Sequence, residues 1–241
     1  MTAIRTEKLR KEYKDIVAVD DLDLTVEEGE LFSLLGVNGA GKTTTIKMLT
    51  TLTKPTSGDA YILEHSIKDD AKKIKEMIDV SMQQTAVARN LSVDENLEFY
   101  CRMRGKSKEE TENIKKRTYQ IFGLDKVAKK RTKQLSGGWQ RKLSIALALA
   151  GEPKVLFLDE PTLGLDVIAR RELWRAIESL KGKMTIVLTT HYMEEAEALS
   201  DRIGIMKDGK LLFVGDKTAL FEKTKTSSVE DAFIKTVEEG V

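Results

Sequence analysis

Continuous apolar runs and amphipathic segments alternate along this chain. The runs at residues 31–35, 155–158 and 185–188 are short and uninterrupted, which is typical of strands buried on both faces of a parallel sheet. Apolar residues at helical spacing follow two of these runs, at 46–49 and 168–180. Because strands and helices alternate in this way, the pattern predicts an α/β core with a parallel sheet.

A long helical stretch interrupts this alternation after residue 91. Ser92 and Ser107 are each followed three residues later by glutamate, a capping-box pattern that predicts two helix starts. Gly123 suits the end of the second helix, and a buried helix is expected over 137–150. The chain thus divides into a core, a helical insertion and a short helical tail. These cover residues 1–87 with 151–220, 88–150, and 221–241, respectively.

The remaining segments predict an antiparallel sheet near the N-terminus and a hairpin near the C-terminus. Strands are expected at 2–10 and 16–26, joined by a turn at 11–15 that contains Tyr13. An Asp-Gly turn at 208–209 predicts the hairpin. Further elements are expected at 60–63 (strand), 74–80 (helix into strand), 203–206 and 211–214 (hairpin strands) and 229–237 (helix).

Composition narrows the classes of protein to consider. The chain has 241 residues, 41% hydrophobic and 33% charged, enough for a core and a well-hydrated surface. Its net charge of +1 argues against a general nucleic-acid-binding protein. The one cysteine, Cys101, excludes an internal disulfide and suits a buried thiol in a reducing compartment. With no signal-like N-terminus and no apolar stretch of about 18 residues, the chain is not expected to cross a membrane by itself.

One stretch departs from the overall charge balance. Residues 102–142 contain 14 Lys and Arg against 4 Asp and Glu. A hydrated helical face is the simplest explanation. A surface that faces anionic lipid or an acidic partner is the alternative, and the sequence does not decide between the two.

The clearest chemical pattern lies between the run 31–35 and the helix that follows it. Residues 36–43 match GxxxxGK[ST], the P-loop of nucleoside triphosphate sites. Glycine backbone and the free N–H groups of a new helix together form a site for phosphate oxygens. Lys42 is expected to reach the terminal phosphates, and the Thr43 hydroxyl to bind Mg²⁺. The predicted nucleotide contacts are Gly36, Asn38, Gly39, Ala40, Gly41, Lys42, Thr43 and Thr44.

Two carboxylates, Asp159 and Glu160, follow the apolar run 155–158. In an open parallel sheet, ligands bind beyond the carboxyl ends of the strands, where the P-loop also opens. Adjacent residues at a strand end point in opposite directions. We therefore expect Asp159 to hold Mg²⁺ and Glu160 to polarise the attacking water. Alone the pattern would also fit an ordinary turn; beside a P-loop it favours phosphoryl transfer.

Residues 135–138 (Leu-Ser-Gly-Gly) start the buried helix. They offer a hydroxyl and free N–H groups, either as a helix cap or to a second anion. With these residues the chain resembles the ATP-binding cassette (ABC) transporter family over about residues 3–220. Five motifs match in order. They are the P-loop at 36–43, the signature at 135–138, Walker B at 155–160, the D-loop at 163–166 and the switch histidine His191.

The resemblance implies a P-loop NTPase (RecA-like) core with a small N-terminal antiparallel β subdomain and an inserted α-helical subdomain. It also implies two ATPase subunits, identical or paralogous, that assemble head to tail. Each ATP then lies between the P-loop of one subunit and the signature of the other. Ser136, Gly137 and Gly138 would act on nucleotide held by the partner subunit, and Asp166 would be the D-loop aspartate.

Three further residues acquire roles only through the resemblance. Tyr13 matches the aromatic residue that stacks on adenine, with a packing tyrosine as the alternative. Gln83 matches the Q-loop glutamine that senses Mg²⁺ and faces the transport subunit, and Gln84 is its rival. His191, which in isolation is more often structural, matches the residue that touches the γ-phosphate and positions water. Trp139 departs from the residues usual at the fifth signature position.

The sequence therefore predicts a Mg²⁺-dependent ATPase that powers a membrane exporter of unknown substrate. Segments 158–166 and 189–197 are most similar to bacterial and archaeal exporter ATPases of the daunorubicin-resistance type. The expected cofactors are ATP and Mg²⁺. The expected partners are a second ATPase subunit and integral membrane permease subunits, without nucleic acid, at the cytoplasmic face of the cell membrane. An importer ATPase, a non-transport ABC ATPase and a regulatory module with a degenerate site are the alternatives.

Overall fold

The computed structural model describes residues 1–239, whose strands form two sheets. The strands are β1 (Thr2–Tyr13), β2 (Ile16–Leu22), β3 (Thr25–Glu27), β4 (Leu31–Leu35), β5 (Ser57–Ile62), β6 (His65–Ser66), β7 (Ile78–Ser81), β8 (Val155–Asp159), β9 (Thr185–Thr190), β10 (Arg202–Lys207) and β11 (Lys210–Gly215).

The larger sheet has the strand order β11-β10-β4-β9-β8-β7 and is parallel except where β11 pairs with β10. Every residue of β4, β8 and β9 is buried, which confirms that the three apolar runs are central strands. The predicted hairpin is also confirmed, since Asp208 and Gly209 both have positive φ between β10 and β11. The predicted α/β class with a P-loop NTPase core is the observed one.

The smaller sheet is antiparallel and is built on β1, which pairs with β2, β3 and β5. Its hairpin turn is shorter than predicted. The turn was expected at 11–15, but β1 continues to Tyr13, which pairs directly with Ile16. Lys14, at a φ of 52°, supplies the left-handed backbone of this tight turn. Tyr13 therefore ends a strand and does not lie in the turn.

The predicted strand 16–26 is divided into β2 and β3, which is a second correction. The Thr6 hydroxyl donates to Leu22 O at 2.7 Å and accepts from Leu24 N at 2.8 Å. A side chain of β1 thus takes the place of regular ladder bonds at the break. Because this interaction joins residues far apart in sequence, the local pattern could not reveal it.

Nine helices occur within residues 1–239, with two short 3₁₀ turns at Leu124–Val127 and Thr132–Gln134. They are α1 (Lys42–Leu49), α2 (Ala71–Met77), α3 (Val93–Met103), α4 (Lys108–Phe122), α5 (Gly137–Ala150), α6 (Val167–Glu178), α7 (Met193–Leu199), α8 (Lys217–Thr224) and α9 (Val229–Glu239).

The predicted helix boundaries depend on capping, and the structure shows the caps. Ser92 and Ser107 each accept from a backbone N–H three residues later at 3.2 Å, and both capping boxes are complete. Gly123 ends α4 in a left-handed conformation with φ 68°. Helix α8 was not predicted; the Asp216 carboxylate caps it by accepting from Ala219 N at 2.7 Å.

Three apolar clusters hold these layers together. One joins α3–α6 to a face of the larger sheet, and buried Cys101 belongs to it. The second lies between the other face, α1 and the antiparallel sheet. The third joins α7, α8 and α9 to β10 and β11. The division into core, helical insertion at 88–150 and tail at 221–241 stays our proposed description of the chain.

Acidic residues outside the basic stretch 102–142 balance part of its charge. Arg104 pairs with Asp79, and the Lys142 ammonium lies 2.6 Å from Glu172. Lys106 and Arg117 both pair with Glu152. This part of the excess charge is balanced without an external anionic partner.

Candidate nucleotide-binding and catalytic site

The P-loop opens into a cavity of about 590 Å³ at the carboxyl ends of β4, β8 and β9. A larger cavity of about 850 Å³ lies at the amino ends of β8 and β9 and contains none of the predicted site residues. Since ligands of parallel sheets bind beyond the carboxyl ends, the smaller cavity is the candidate site. It is lined by Ile16, Val17, Ala18, Asn38, Gly39, Ala40, Gly41, Lys42, Thr43, Thr44, Gln83, Glu160, Leu163, His191 and Asp208.

The local backbone forms an anion site without a side-chain cap. Gly39 and Gly41 have φ angles of +84° and +105°, which turn the chain tightly from β4 into α1. Helix α1 begins at Lys42, and no side chain caps its N-terminus. Its first N–H groups are therefore available to phosphate oxygens, and the positive end of the helix dipole favours the same ligand.

Lys42 is folded back over its own loop. Its side chain is 5% exposed, and the ammonium donates to Gly36 O at 2.7 Å and to Val37 O at 3.1 Å. The same nitrogen lies 3.3 Å from Glu160 Oε1. The ammonium is thus held by two backbone hydrogen bonds and one ion pair within the chain. A polyphosphate in the cavity would compete for this cation.

Asp159 is fully buried at the end of β8 and faces the P-loop threonine. Its two carboxylate oxygens lie 3.0 and 3.1 Å from Thr43 Oγ1. The Thr189 hydroxyl donates to Asp159 Oδ1 at 2.6 Å and accepts from Glu160 N at 3.1 Å. The carboxyl end of β8 is therefore held in place by hydrogen bonds with Thr189 of the neighbouring strand β9.

Glu160 and Asp159 have different partners. The reason is not that successive side chains of a strand point in opposite directions. The strand ends at Asp159, and Glu160 has a left-handed φ of 48°. Its Oε1 faces Lys42 at 3.3 Å, and its Oε2 lies 2.6 Å from His191 Nδ1. The carboxylate is 7% exposed and is clamped between a cation and an imidazole. The predicted base and the predicted switch histidine are thus in direct contact.

Other predicted residues lie at different distances from this centre. Gln83 lines the cavity, whereas Gln84 does not. Tyr13 is 45% exposed at the end of β1, under the Lys11 ammonium at 4.8 Å, and is not part of the lining.

The predicted signature residues and the D-loop aspartate Asp166 do not line the cavity either, although Leu163, at the start of the D-loop, does. Ser136 and Gly137 are exposed at the start of α5, and the Ser136 hydroxyl does not cap that helix. Asp166 caps α6 by accepting from the backbone N–H groups of Ile168 and Ala169, both at 2.9 Å. Within one chain, then, the signature lies outside the P-loop cavity.

Arg141, which no sequence motif indicated, holds three backbone carbonyl groups beside the site. This side chain is 4% exposed and donates to Pro161 O at 2.8 Å, to Met82 O at 2.5 Å and to Asp159 O at 2.6 Å. Burial lowers the pKa of Arg141 to about 10, against the opposing effect of nearby carboxylates. The sequence did contain one indication of this role, because Arg141 is an arginine beside the apolar face of the predicted helix 137–150.

The oxygen donors in the cavity fit Mg²⁺. This ion is usually held by one or two carboxylates together with substrate phosphates and water. Thr43 and Asp159 place a hydroxyl and a carboxylate side by side, and Gln83 adds an amide oxygen to the lining. Within the described residues, no group of three or more His, Cys, Asp or Glu side chains is arranged to hold a metal. The donor set therefore fits an ion that relies on nucleotide phosphates for its other ligands.

No helix within residues 1–239 has the length and apolar character needed to cross a bilayer. Residues 19–163 match the protein family described as ABC transporter. This match includes the P-loop, the signature and the Walker B carboxylates.

Relatives with similar sequences are larger transport proteins. The chain is 46% identical over 212 residues to human "Phospholipid-transporting ATPase ABCA3", covering 88% of this chain and 12% of that protein. It is 38% identical over 243 residues to Escherichia coli "Probable multidrug ABC transporter ATP-binding protein YbhF", covering 98% and 42%, respectively. The chain thus spans less than half the length of these relatives.

Solved structures with the same fold extend the comparison. The ATP binding subunit of an ABC transporter has a TM-score of 0.87 at 26% identity, covering 97% of this chain and 99% of that chain. The ATP-binding cassette MJ0796, in a dimeric post-hydrolysis state bound to ADP and Pi, has a TM-score of 0.80 at 28% identity, covering 88% and 98%. CbiO1 from Clostridium perfringens, part of the cbiONQ transporter complex, has a TM-score of 0.84 at 26% identity, covering 92% and 91%.

Proposed function

The chain belongs to the ABC transporter family as an ATP-binding ATPase domain, and we propose that it is a Mg²⁺-dependent ATPase that drives a membrane exporter. One observation supports this most. Residues that lie far apart in the sequence meet in pairs at one cavity. The P-loop and Walker B residues pair as Thr43 with Asp159 at 3.0 Å and Lys42 with Glu160 at 3.3 Å, and the switch histidine His191 lies 2.6 Å from Glu160. Such positioning and charge neutralisation are what phosphoryl transfer requires.

Nucleotide binding would redirect Lys42. The backbone N–H groups of the P-loop and of the first turn of α1 bind the phosphates. Lys42 leaves Gly36 O and Val37 O for the terminal phosphates, since a polyphosphate is the stronger acceptor. Thr43, Asp159 and Gln83 would hold Mg²⁺, which neutralises phosphate charge when bound.

This movement would release the general base. In the structure both oxygens of Glu160 have partners, Lys42 and His191. Once Lys42 moves to phosphate, Oε1 is free to accept a proton from the attacking water. His191 keeps the carboxylate oriented through Oε2 and, as the family resemblance implies, would touch the γ-phosphate. The site thus couples substrate binding to activation of the base.

A second subunit would complete the site. Ser136, Gly137 and Gly138 lie at the start of α5, outside the lining of the chain's own nucleotide cavity. We infer that they contact ATP held by a partner subunit, with Asp166 near the same boundary. Tyr13 would stack on adenine at the edge of the cavity. The dimeric ADP- and Pi-bound relative supports this arrangement.

Export is the direction that we propose, through a permease at the cytoplasmic face of the cell membrane. Relatives named for phospholipid and multidrug transport support it. Within the family we place the chain near the daunorubicin-resistance type, on the residues at 158–166 and 189–197. The neighbouring reading frame tests the direction. A six-span membrane protein would support export, and a secreted binding protein would favour import.

Three variants of the purified chain test the ATPase mechanism. Glu160→Gln should bind ATP normally, release phosphate at least about 100-fold more slowly and favour a dimer on size-exclusion chromatography, because the base is lost. Lys42→Ala should weaken ATP binding itself. Glu178→Gln, an exposed carboxylate on α6, is the control that should hydrolyse ATP at the normal rate. Normal phosphate release by Glu160→Gln would refute the assignment of the base.

A further inference from the structure

Glu195 is a buried carboxyl group that the proposed reaction does not use. It lies in the first turn of α7 and is 0% exposed. The indole N–H of Trp174 donates to its Oε1 at 3.0 Å. Oε2 is buried and has no hydrogen-bond partner within the described part of the chain. A buried carboxyl oxygen without a partner is costly, so this placement calls for a physical reason.

Two threonine hydroxyls face the same carboxyl. Thr162 Oγ1 is also buried without a partner among residues 1–239. Thr190 Oγ1 accepts from Tyr192 N at 2.9 Å. Burial raises the pKa of Glu195, and the hydroxyls of Thr190 and Thr162 act in the opposite direction. Both hydroxyls thus act on this carboxyl, yet Oε2 accepts a hydrogen bond from neither of them.

The groups around this carboxyl come from the segments that carry the proposed chemistry. Thr162 follows Glu160 by two residues, in the loop that leaves β8. Thr190 is the last residue of β9 and directly precedes His191. Trp174 lies on α6, the helix that follows the D-loop. One buried side chain therefore contacts or faces both loops of the catalytic pair and the helix between them.

We propose that Glu195 is a positioning residue that holds His191 and Glu160 in register, and that its contact with Thr162 closes when nucleotide binds. The proposal rests on the proposed ATPase function. Glu195 itself is too deeply buried to touch nucleotide. It acts by fixing the two loops whose side chains meet at 2.6 Å. Misplacing catalytic groups by about 1 Å is enough to slow a reaction substantially.

The test compares Glu195→Ala and Glu195→Gln with a matched control in the full 241-residue chain. Glu195→Ala should lower kcat roughly 10- to 100-fold, with KM for ATP changed less than about threefold. Glu195→Gln should keep kcat within about threefold of wild type, because the amide can accept from Trp174 and donate to Thr162. Equal kcat values for the alanine and glutamine variants would overturn the proposal.

Leu199→Ala is the control for a purely structural effect. Leu199 ends the same helix and is 2% exposed, so its truncation loosens α7 but leaves the carboxyl in place. It should lower the melting temperature and leave kcat near wild type. A drop in kcat as large as that of Glu195→Ala would overturn the proposal. If Glu195→Ala does not fold, Thr162→Val takes its place, because it removes the facing hydroxyl at nearly constant volume. An unchanged kcat in Thr162→Val would also overturn the proposal.

Tryptophan emission separates this proposal from the proposed function. The chain has two tryptophans, so Trp139→Phe leaves Trp174 as the only reporter beside Glu195. Mg-ATP should shift the emission of this parent, and the shift should be lost when Glu195→Ala is added. This measurement needs binding but no turnover. A chain that binds ATP without releasing phosphate would contradict the proposed function, while an unshifted emission in the parent would overturn the role of Glu195.

Discussion

Replacing Gly41 by alanine should damage the P-loop far more than replacing Gly39. Both residues have positive φ angles, +105° and +84°. Either alanine would therefore adopt a left-handed backbone at a cost of about 1–2 kcal/mol. The surroundings differ, however. A Cβ on Gly39 would meet no atom within 4 Å, since this residue lines the open cavity.

A Cβ on Gly41 has no such space. It would overlap the carbonyl oxygen of Ala18 and approach Met206 Cε to 2.7 Å. Met206 can change rotamer, but the Ala18 carbonyl belongs to β2 and cannot move alone. An overlap of this kind adds about 1–3 kcal/mol. We therefore expect Gly41→Ala to lower the free energy of unfolding by about 2–5 kcal/mol, against about 1–2 kcal/mol for Gly39→Ala.

Guanidinium denaturation of both variants measures this difference, provided that the m-value stays constant. Gly105→Ala calibrates the backbone cost alone, because Gly105 has a φ of +72° with no atom within 4 Å of its Cβ position. Gly39→Ala should match Gly105→Ala in stability but bind ATP more weakly, because its methyl group enters the cavity. Equal losses of stability in Gly39→Ala and Gly41→Ala would refute the argument that β2 supports the P-loop.

Two further predictions concern buried carboxyl groups. Tyr100 OH donates to Asp79 Oδ2 at 2.6 Å, so Tyr100→Phe should lower the free energy of unfolding by about 1–2 kcal/mol, and an unchanged denaturation midpoint would contradict this. Burial raises the pKa of Glu195 above its ordinary value of 4.5, so the folded chain keeps a proton that the unfolded chain has released, and stability falls as pH rises through that interval. Glu195→Gln has no carboxyl group to titrate and lacks this loss of stability. The free energy of unfolding of Glu195→Gln minus that of wild type should therefore increase as pH rises above 4.5. A difference that does not change with pH would contradict the raised pKa of Glu195.

Elements set by local signals could be predicted from the sequence. The capping boxes at Ser92 and Ser107 need only residues three positions apart, and both are present. Helix α5 has the predicted bounds because its buried face is continuous in the sequence. The P-loop was equally recognisable, since its backbone conformation depends on glycines within eight positions.

Features that depend on contacts between distant segments could not be predicted in this way. The division of the predicted strand 16–26 follows from the hydroxyl of Thr6, on a different strand. The left-handed φ of Glu160 has no local signature, because glutamate rarely adopts it. The same holds for the pairing of Glu160 with His191, 31 residues later. Motif order indicated that these residues act together, but not which atoms meet.

Arg141 shows why the missing contacts matter for function. This residue lies one helical turn after Gly137, the first residue of α5. Its guanidinium donates to Met82 O, next to the predicted Q-loop residue Gln83, and to Asp159 O, at the end of β8. Helix α5 is 14 residues long, and its residues from Arg141 to Ala150 are all buried, so close packing opposes the displacement of one turn alone. We therefore expect a displacement at the start of α5 to disturb the contacts of Arg141 with Met82 O and Asp159 O. The geometry thus links the start of α5, where the predicted signature lies, to the segment after β7 and to the carboxyl end of β8.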